Sequence, residues 1–288
     1  MLKHRLIAGS LMAAGVMAIL FGDALLSDAL GRPVFPFLGV LAVTAVFFAA
    51  RELVSIIPEP NRPHRGLCLA GVTALFAVHF VQAGVGTLPG LERFGPRSWE
   101  PVAAVFAGCV LAAFLVEMYR YTGSGDSVTR IAHAVLVMAY TGLLTGFFVK
   151  LRWLTPAEGS PHLPAVYLAL AVFVPKCCDI AAYFVGRFLG RHPFTPRLSP
   201  KKTWEGFAGG FAGGVWAACV LQWFGLATGV GVVFRHGWAE AAAFGVVVGF
   251  FGVLGDLAES LVKRDGQTKD ASQTVPGFGG LLDVFDSV

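Results

Sequence analysis

The chain has 288 residues, 56% of them hydrophobic and only 14% charged, with a mean hydropathy of +0.69. A water-soluble domain carries about 25% charged residues, so the composition excludes one and predicts an all-α, polytopic integral membrane protein. The formal net charge of +4 is too small for a nucleic-acid footprint, and the five cysteines, none in C-x-x-C spacing, suggest neither a disulfide framework nor a zinc site.

Met1 to Arg5 precedes a first apolar run in the manner of a secretory leader, yet no clear small-residue cleavage site follows, so a retained helix is expected. Segments long enough, or nearly so, to cross a bilayer lie at roughly 6–26, 34–50, 67–87, 101–118, 130–149, 164–186, 206–228 and 239–257. Between the second and third, Ile57 to Pro63 is a proline-rich loop. No repeat, low-complexity tract or linker divides the chain. It reads as one membrane-embedded domain over 1–288, with N-terminal helices over 1–174 and the chemically distinctive part over 175–288. Eight spans return the C-terminal stretch to the side of the N-terminus. Loops on that side hold fifteen of the 22 lysines and arginines, the opposite loops hold six, and Lys176 lies in a span. The positive-inside rule makes the rich side cytoplasmic, so the expected location is the inner or plasma membrane with the polar loops facing the cytoplasm.

The sixth span carries Pro175, Lys176 and Asp179. Charges inside a span are rare and face a partner or a polar cavity. Two readings stay open. One is a Lys176–Asp179 pair at i, i+3 without chemistry. The other is a polar pocket about 12 Å from the helix end, with Asp179, Tyr183 and Gly186 on one face and Pro175 loosening the helix. The loop that follows carries Arg187, Arg191, Arg197, Lys201 and Lys202. In it Ser199 and Thr203 are placed to cap a helix beginning near Trp204. A helix N-terminus flanked by lysines suits an anion. Gly186 with Gly190, and Gly209-Gly210 with Gly213-Gly214, have the spacing of helix-packing faces more than of phosphate loops. His79 and His133, in or near spans, are expected to be hydrogen-bonded structural residues.

Residues 256–286 concentrate carboxylates and cations as no other stretch does. Asp256, Glu259, Ser260, Lys263 and Arg264 share one helix face by their spacing of i, i+3, i+4, i+7 and i+8. Gly266 ends that helix, and Lys269-Asp270 lies in a polar turn. Pro276-Gly277 and Gly279-Gly280 punctuate the chain before Asp283 and Asp286. Carboxylates that hold a divalent cation, beside cations that hold phosphate, are the components of phosphoryl or nucleotidyl transfer. No Ser-His-Asp set, Walker A loop or H-E-x-x-H segment offers a different chemistry.

At these residues the chain resembles the phosphatidate cytidylyltransferase family, also called CDP-diglyceride synthetases. The family signature runs S-x-x-K-R-x4-K-D, a short spacer, then P-G-H-G-G-x-x-D-R-x-D. Ser260, Lys263, Arg264, Lys269, Asp270, Pro276, Gly277, Gly279, Gly280, Asp283 and Asp286 match it. Upstream, D-x-x-A-Y-x-x-G-R and S-P-x-K-T-x-E-G are filled by Asp179, Ala182, Tyr183, Gly186, Arg187, Ser199, Pro200, Lys202, Thr203, Glu205 and Gly206. The resemblance is specific over 175–288 and rests on hydropathy alone before that. Phe278 stands where the family usually has His, and Val284 where it usually has Arg. Family members also continue into a final transmembrane helix. Residues 281–288 are too short to span, so a ninth, truncated C-terminal helix is expected.

The resemblance implies transfer of the cytidylyl group of CTP to phosphatidate, giving CDP-diacylglycerol and pyrophosphate. It implies Mg²⁺, as one ion or two, on Asp256, Asp270, Asp283 and Asp286. Lys202, Lys263, Arg264 and Lys269 would be the catalytic cations, and Asp179, Tyr183, Arg187, Ser199, Thr203 and Ser260 the substrate-binding residues. Membrane lipid is an expected partner, and the glycine faces leave room for a homodimer. The changes at 278 and 284 leave two readings, an active variant subgroup or a catalytically impaired homologue. Another phospholipid-headgroup transferase is the alternative within enzymes, although the D-x2-D-G-x2-A-R motif of CDP-alcohol phosphotransferases is missing. A transporter would string charges across several spans instead of gathering them on one side.

Overall fold

A computed structural model of the chain describes residues 15, 18–31, 34–85, 90, 98–123, 125–154, 163–268, 272 and 280–282. Helical residues 18–30 (α1) are followed by α2 (Pro36–Ile56), α3 (Arg65–Val85), α4 (Glu100–Tyr119) and α5 (Ser127–Val137). A π-helical segment (Met138–Leu143) leads to α6 (Gly146–Leu151) and α7 (Leu163–Leu189). A two-stranded antiparallel hairpin, β1 (Pro193–Thr195) and β2 (Ser199–Thr203), then precedes α8 (Trp204–Ala227) and α9 (Trp238–Asp265). Among the described residues seven segments are long and apolar enough to cross a membrane. The protein is a polytopic, all-α membrane protein, as its composition requires.

Most of the first expected span, 6–26, lies outside the described residues. Helices α2 and α9 run past their expected ends at 50 and 257 to Ile56 and Asp265. Hydropathy marks where a segment stops being apolar, whereas a helix stops where its backbone loses its i→i−4 partners. Gly266 caps α9 through bonds to Val262 and Arg264 carbonyls. The fifth span is not one α-helix, because the wider π turn interrupts it. Gly142 there lies so close to α3 that a Cβ would sit 3.1 Å from the Val72 Cα.

The chain forms two compact units, one joining Met1–Trp153 with Asp270–Val284 and one joining Leu154–Lys269 with Phe285–Val288. In the first, α3 packs against α2, α4, α6 and the π segment. Its core holds Ala50, Leu53, Val54, Val72, Leu75, Val102 and Met138. Polar groups are buried there too. Asp23 accepts the backbone N–H groups of Phe37 and Leu38 at 3.0 and 2.8 Å, satisfying two free amides at the start of α2. Buried Glu117 pairs with Arg130 at 2.8 Å and Arg120 at 3.7 Å. Lys150 and Arg152, two of the six cations counted above in the opposite loops, are buried instead. Lys150 donates to the Ser98 carbonyl at 3.3 Å and lies 4.9 Å from the Trp99 ring, and Arg152 stacks 4.0 Å from Phe35. Burial pushes the Lys150 ammonium below the usual lysine range. His133 bonds the Asn61 carbonyl as expected. Fully buried His79 does not, because both its ring nitrogens lack a hydrogen-bond partner among the described residues and the ring packs by Phe147.

The second unit is a three-helix assembly joined by glycines. A Cβ on Gly213 would come within 2.5 Å of the Ala181 Cβ and 2.7 Å of the Cys177 carbonyl oxygen. One on Gly245 would come within 2.6 Å of the Val215 backbone. The i, i+4 glycine spacing therefore marks packing faces, as small residues do where helices must touch in lipid. Helix α7 continues through buried Pro175 without a break, which neighbouring helices permit in membranes. Phe173, Trp216, Trp223, Phe250 and Phe251 cover the outer faces, a surface suited to lipid.

Candidate active site

The basic loop after α7 is ordered by local chemistry. Its strands pair Pro193 with Thr203 and Thr195 with Ser199. Phe194 on β1 meets Trp204 of α8 edge to face and stacks on Phe207, with centroids 4.5 and 4.9 Å apart. Thr203 is the N-cap of α8, its hydroxyl accepting the Gly206 N–H at 3.1 Å. Ser199 was expected to share that role but is a strand residue, since the hairpin consumes the residues that a plain loop would leave free. Glu205 turns back from the first turn of α8 and accepts the backbone N–H groups of Arg191 and His192 at 3.1 and 3.3 Å, with His192 Nδ1 at 2.6 Å. The hairpin is thus fixed at both ends.

Alternation along β2 then separates its two lysines. Lys201 is exposed, whereas Lys202 turns inward and forms an ion pair with Asp256 near the C-terminal end of α9. Both side chains stay about a quarter exposed, at 25% and 27%. The Lys202 Nζ itself is buried, so the exposed part of that residue is its aliphatic stem. One turn further on, Lys263 Nζ lies 3.1 Å from Glu259, which is 1% exposed. Ser260 is half-buried beside them, and exposed Arg264 donates to the Thr268 carbonyl at 3.4 Å beyond the helix end. Within this unit the structure brings together two stretches more than fifty residues apart in sequence, Lys202 with Asp256, at the end of α9 where Lys263 and Arg264 also lie.

On α7, Asp179 is half-buried, and Tyr183 and Arg187 are exposed one turn apart, the guanidinium donating to the phenol oxygen at 2.8 Å. Lys269, Asp270, Asp283 and Asp286, with Phe278 and Val284, lie outside the described residues.

Sequence reasoning missed two carboxylates. Glu259 was placed on the charged face but given no role, yet it is the most buried acid of that face. Glu52 on α2 is 5% exposed and accepts hydrogen bonds from Ser272 Oγ at 2.6 Å and the Leu282 N–H at 2.9 Å, all within the first unit. The signal available for Glu52 was a lone acid inside an apolar segment, hidden because that segment was ended at residue 50. A cavity of about 440 Å³ in the first unit is lined by Glu59, Pro60, Arg62, Arg120, Thr122 and Arg130. None of the expected site residues lines it.

Mg²⁺ takes hard oxygen ligands and keeps several waters, so one or two carboxylates suffice to bind it. Among the described residues no three His, Cys, Asp or Glu side chains gather as a metal group. Asp256 supplies a carboxylate about a quarter exposed, and that donor chemistry fits the ion.

A family model described as the cytidylyltransferase family matches residues 3–288. The chain is 33% identical over 280 residues to a phosphatidate cytidylyltransferase from Mycobacterium bovis, covering 87% of this chain and 81% of the relative. It is 34% identical over 263 residues to one from Mycobacterium leprae, covering 86% and 75%. One from Bacillus subtilis is 33% identical over 184 residues, covering 64% and 62%.

Proposed function

This chain belongs to the cytidylyltransferase family, and we propose that it is a nucleotidyltransferase that moves the cytidylyl group of CTP onto phosphatidate. The products are CDP-diacylglycerol and pyrophosphate. The observation that carries this reading is the Lys202–Asp256 pair. It joins the upstream motif block to the charged stretch 256–286, with a cation suited to phosphate and a carboxylate side by side.

A phosphate oxygen of phosphatidate attacks the α-phosphorus of CTP in line. The new P–O–P bond forms as the bond from the α-phosphorus to the bridging oxygen breaks, and pyrophosphate leaves with the electron pair. The second pKa of a phosphate monoester is about 6, so the nucleophile is already largely ionised at neutral pH. No strong general base is needed, and Phe278 in place of His is compatible with turnover. Lys202, Lys263, Arg264 and Lys269 hold the triphosphate and lipid phosphate and offset the charge that shifts onto the leaving group. Thr203, Ser199 and Ser260 donate to phosphate oxygens, and Asp179, Tyr183 and Arg187 line the approach of the headgroup from the membrane. Asp256, Asp270, Asp283 and Asp286 are the residues that would hold Mg²⁺. When bound, the ion neutralises phosphate charge. The protein is a multi-pass membrane protein. The excess of cations on one set of loops supports a cytoplasmic site in the inner or plasma membrane. The glycine faces described above are spent within the second unit, so a homodimer would use other surfaces.

The test is incubation of membranes containing the protein with labelled CTP and phosphatidate, with and without Mg²⁺. Label is expected in lipid-extractable CDP-diacylglycerol only with the metal, and its absence under both conditions would overturn the reading. Asp283→Asn should abolish Mg²⁺-dependent turnover while the protein stays monodisperse in detergent. Near-normal product formation would remove Asp283 from the metal set.

A further inference from the structure

The sequence distance spanned by its two hydrogen bonds sets Glu52 apart from buried Asp23, whose two donors lie within fifteen residues. Each carboxylate oxygen takes one donor, Oε1 from the Ser272 hydroxyl and Oε2 from the Leu282 backbone amide, across 220 and 230 residues of sequence. A carboxylate removed from water stays charged only where donors replace its lost hydration. Here those donors bracket, in sequence, the stretch that contains Pro276, Gly277, Gly279 and Gly280. Leu282 is itself buried and is bonded directly to Asp283.

We propose that Glu52 is a positioning residue for the transfer reaction. It holds Ser272 and Leu282, the latter bonded directly to Asp283 in sequence. The proposal rests on the reading of Asp283 as a metal ligand given above. The role is geometric and needs two acceptors or their equivalent at the end of a side chain of this length. Glutamine meets that need: its oxygen accepts from the Leu282 amide, and its NH₂ donates to a Ser272 hydroxyl that turns to accept. Alanine does not.

The experiment uses the full chain in detergent with E52A, E52Q and S272A variants. Hydrogen exchange at the Leu282 amide should be at least about tenfold faster in E52A than in the unaltered protein, and close to unaltered in E52Q. With CTP, phosphatidate and Mg²⁺, E52A should lose about 100-fold in kcat. Its Mg²⁺ concentration for half-maximal rate should rise by about tenfold or more. E52Q should stay within about fivefold on both, and S272A should raise the Mg²⁺ requirement by about threefold. A merely structural role would lower the folded fraction and apparent kcat while leaving the Mg²⁺ requirement unchanged, and that result would overturn the proposal. So would E52Q as inactive as E52A, which would assign the effect to charge. Should E52A fail to fold, S272A decides by the same Mg²⁺ readout. If the unaltered chain makes no CDP-diacylglycerol, the reaction itself is misread, and exchange at Leu282 still tells whether the clamp exists.

Discussion

Helices of the first unit are joined by buried charges as well as apolar side chains, and those of the second by glycines. Asp23, Glu52, Glu117, Lys150 and Arg152 are all under a tenth exposed in the first unit, each with a named partner. In the second, Gly213 and Gly245 bring helix backbones so close that no Cβ fits between them. Lipid tails are as apolar as leucine, so the hydrophobic effect does little to hold one span against another. Close packing and polar contacts must do it, and each unit relies on one of these more than the other. In the second unit Lys202 and Asp256 form an ion pair between β2 and α9, their side chains about a quarter exposed and the Lys202 Nζ itself buried.

The contrast can be broken most severely at Gly245. Gly245→Leu forces a branched side chain against the Val215 backbone, where no flexible group can yield. It should cost more than about 3 kcal/mol, beyond the ordinary overpacking range. The damage should be local to the second unit: Cys178, 2% exposed, becomes open to thiol labelling while Cys68, 0% exposed, stays protected. Equal labelling of both would mean that the units do not differ as described. Arg130→Met makes the opposite cut. It removes the 2.8 Å partner of buried Glu117 and leaves Arg120 at 3.7 Å. A loss of roughly 2 kcal/mol is expected, read as earlier thermal unfolding with Cys68 and Cys109 labelled before Cys178. The smallest effect should come from Thr203→Ala, which deletes the cap of α8. It costs about 1 kcal/mol, and Thr203→Ser should restore it. A stability change in the alanine variant that serine does not restore would show that the Thr203 methyl group, packed near Gly190, matters more than the cap.

Much of this was legible in order along the chain. The charged face of α9, its stop at Gly266, the cap at Thr203 and the packing role of the glycines all follow from contacts within a few residues or from spacing along one helix. The departures have one character. Lys150 and Arg152 read as loop cations because local hydropathy cannot see the rings of Trp99 and Phe35 that cover them. The pairing of Lys202 with Asp256 depends on which face of a strand meets which end of a helix fifty residues later. The π turn at Met138–Leu143 changes the backbone without changing the apolar pattern. Ser199 lost its expected capping role to a hairpin whose closure depends on Phe194 finding Trp204 and Phe207.

Composition, motif spacing and chain order by themselves determined that this is a membrane protein of many helices with its charged and hydroxyl residues gathered in two blocks, because solubility in lipid and helix periodicity are local properties. Only the tertiary structure decided which charges are buried for support and which remain partly exposed. It alone tied Glu52 to Ser272 and Leu282, since a hydrogen bond across more than two hundred residues leaves no trace in the pattern around either end.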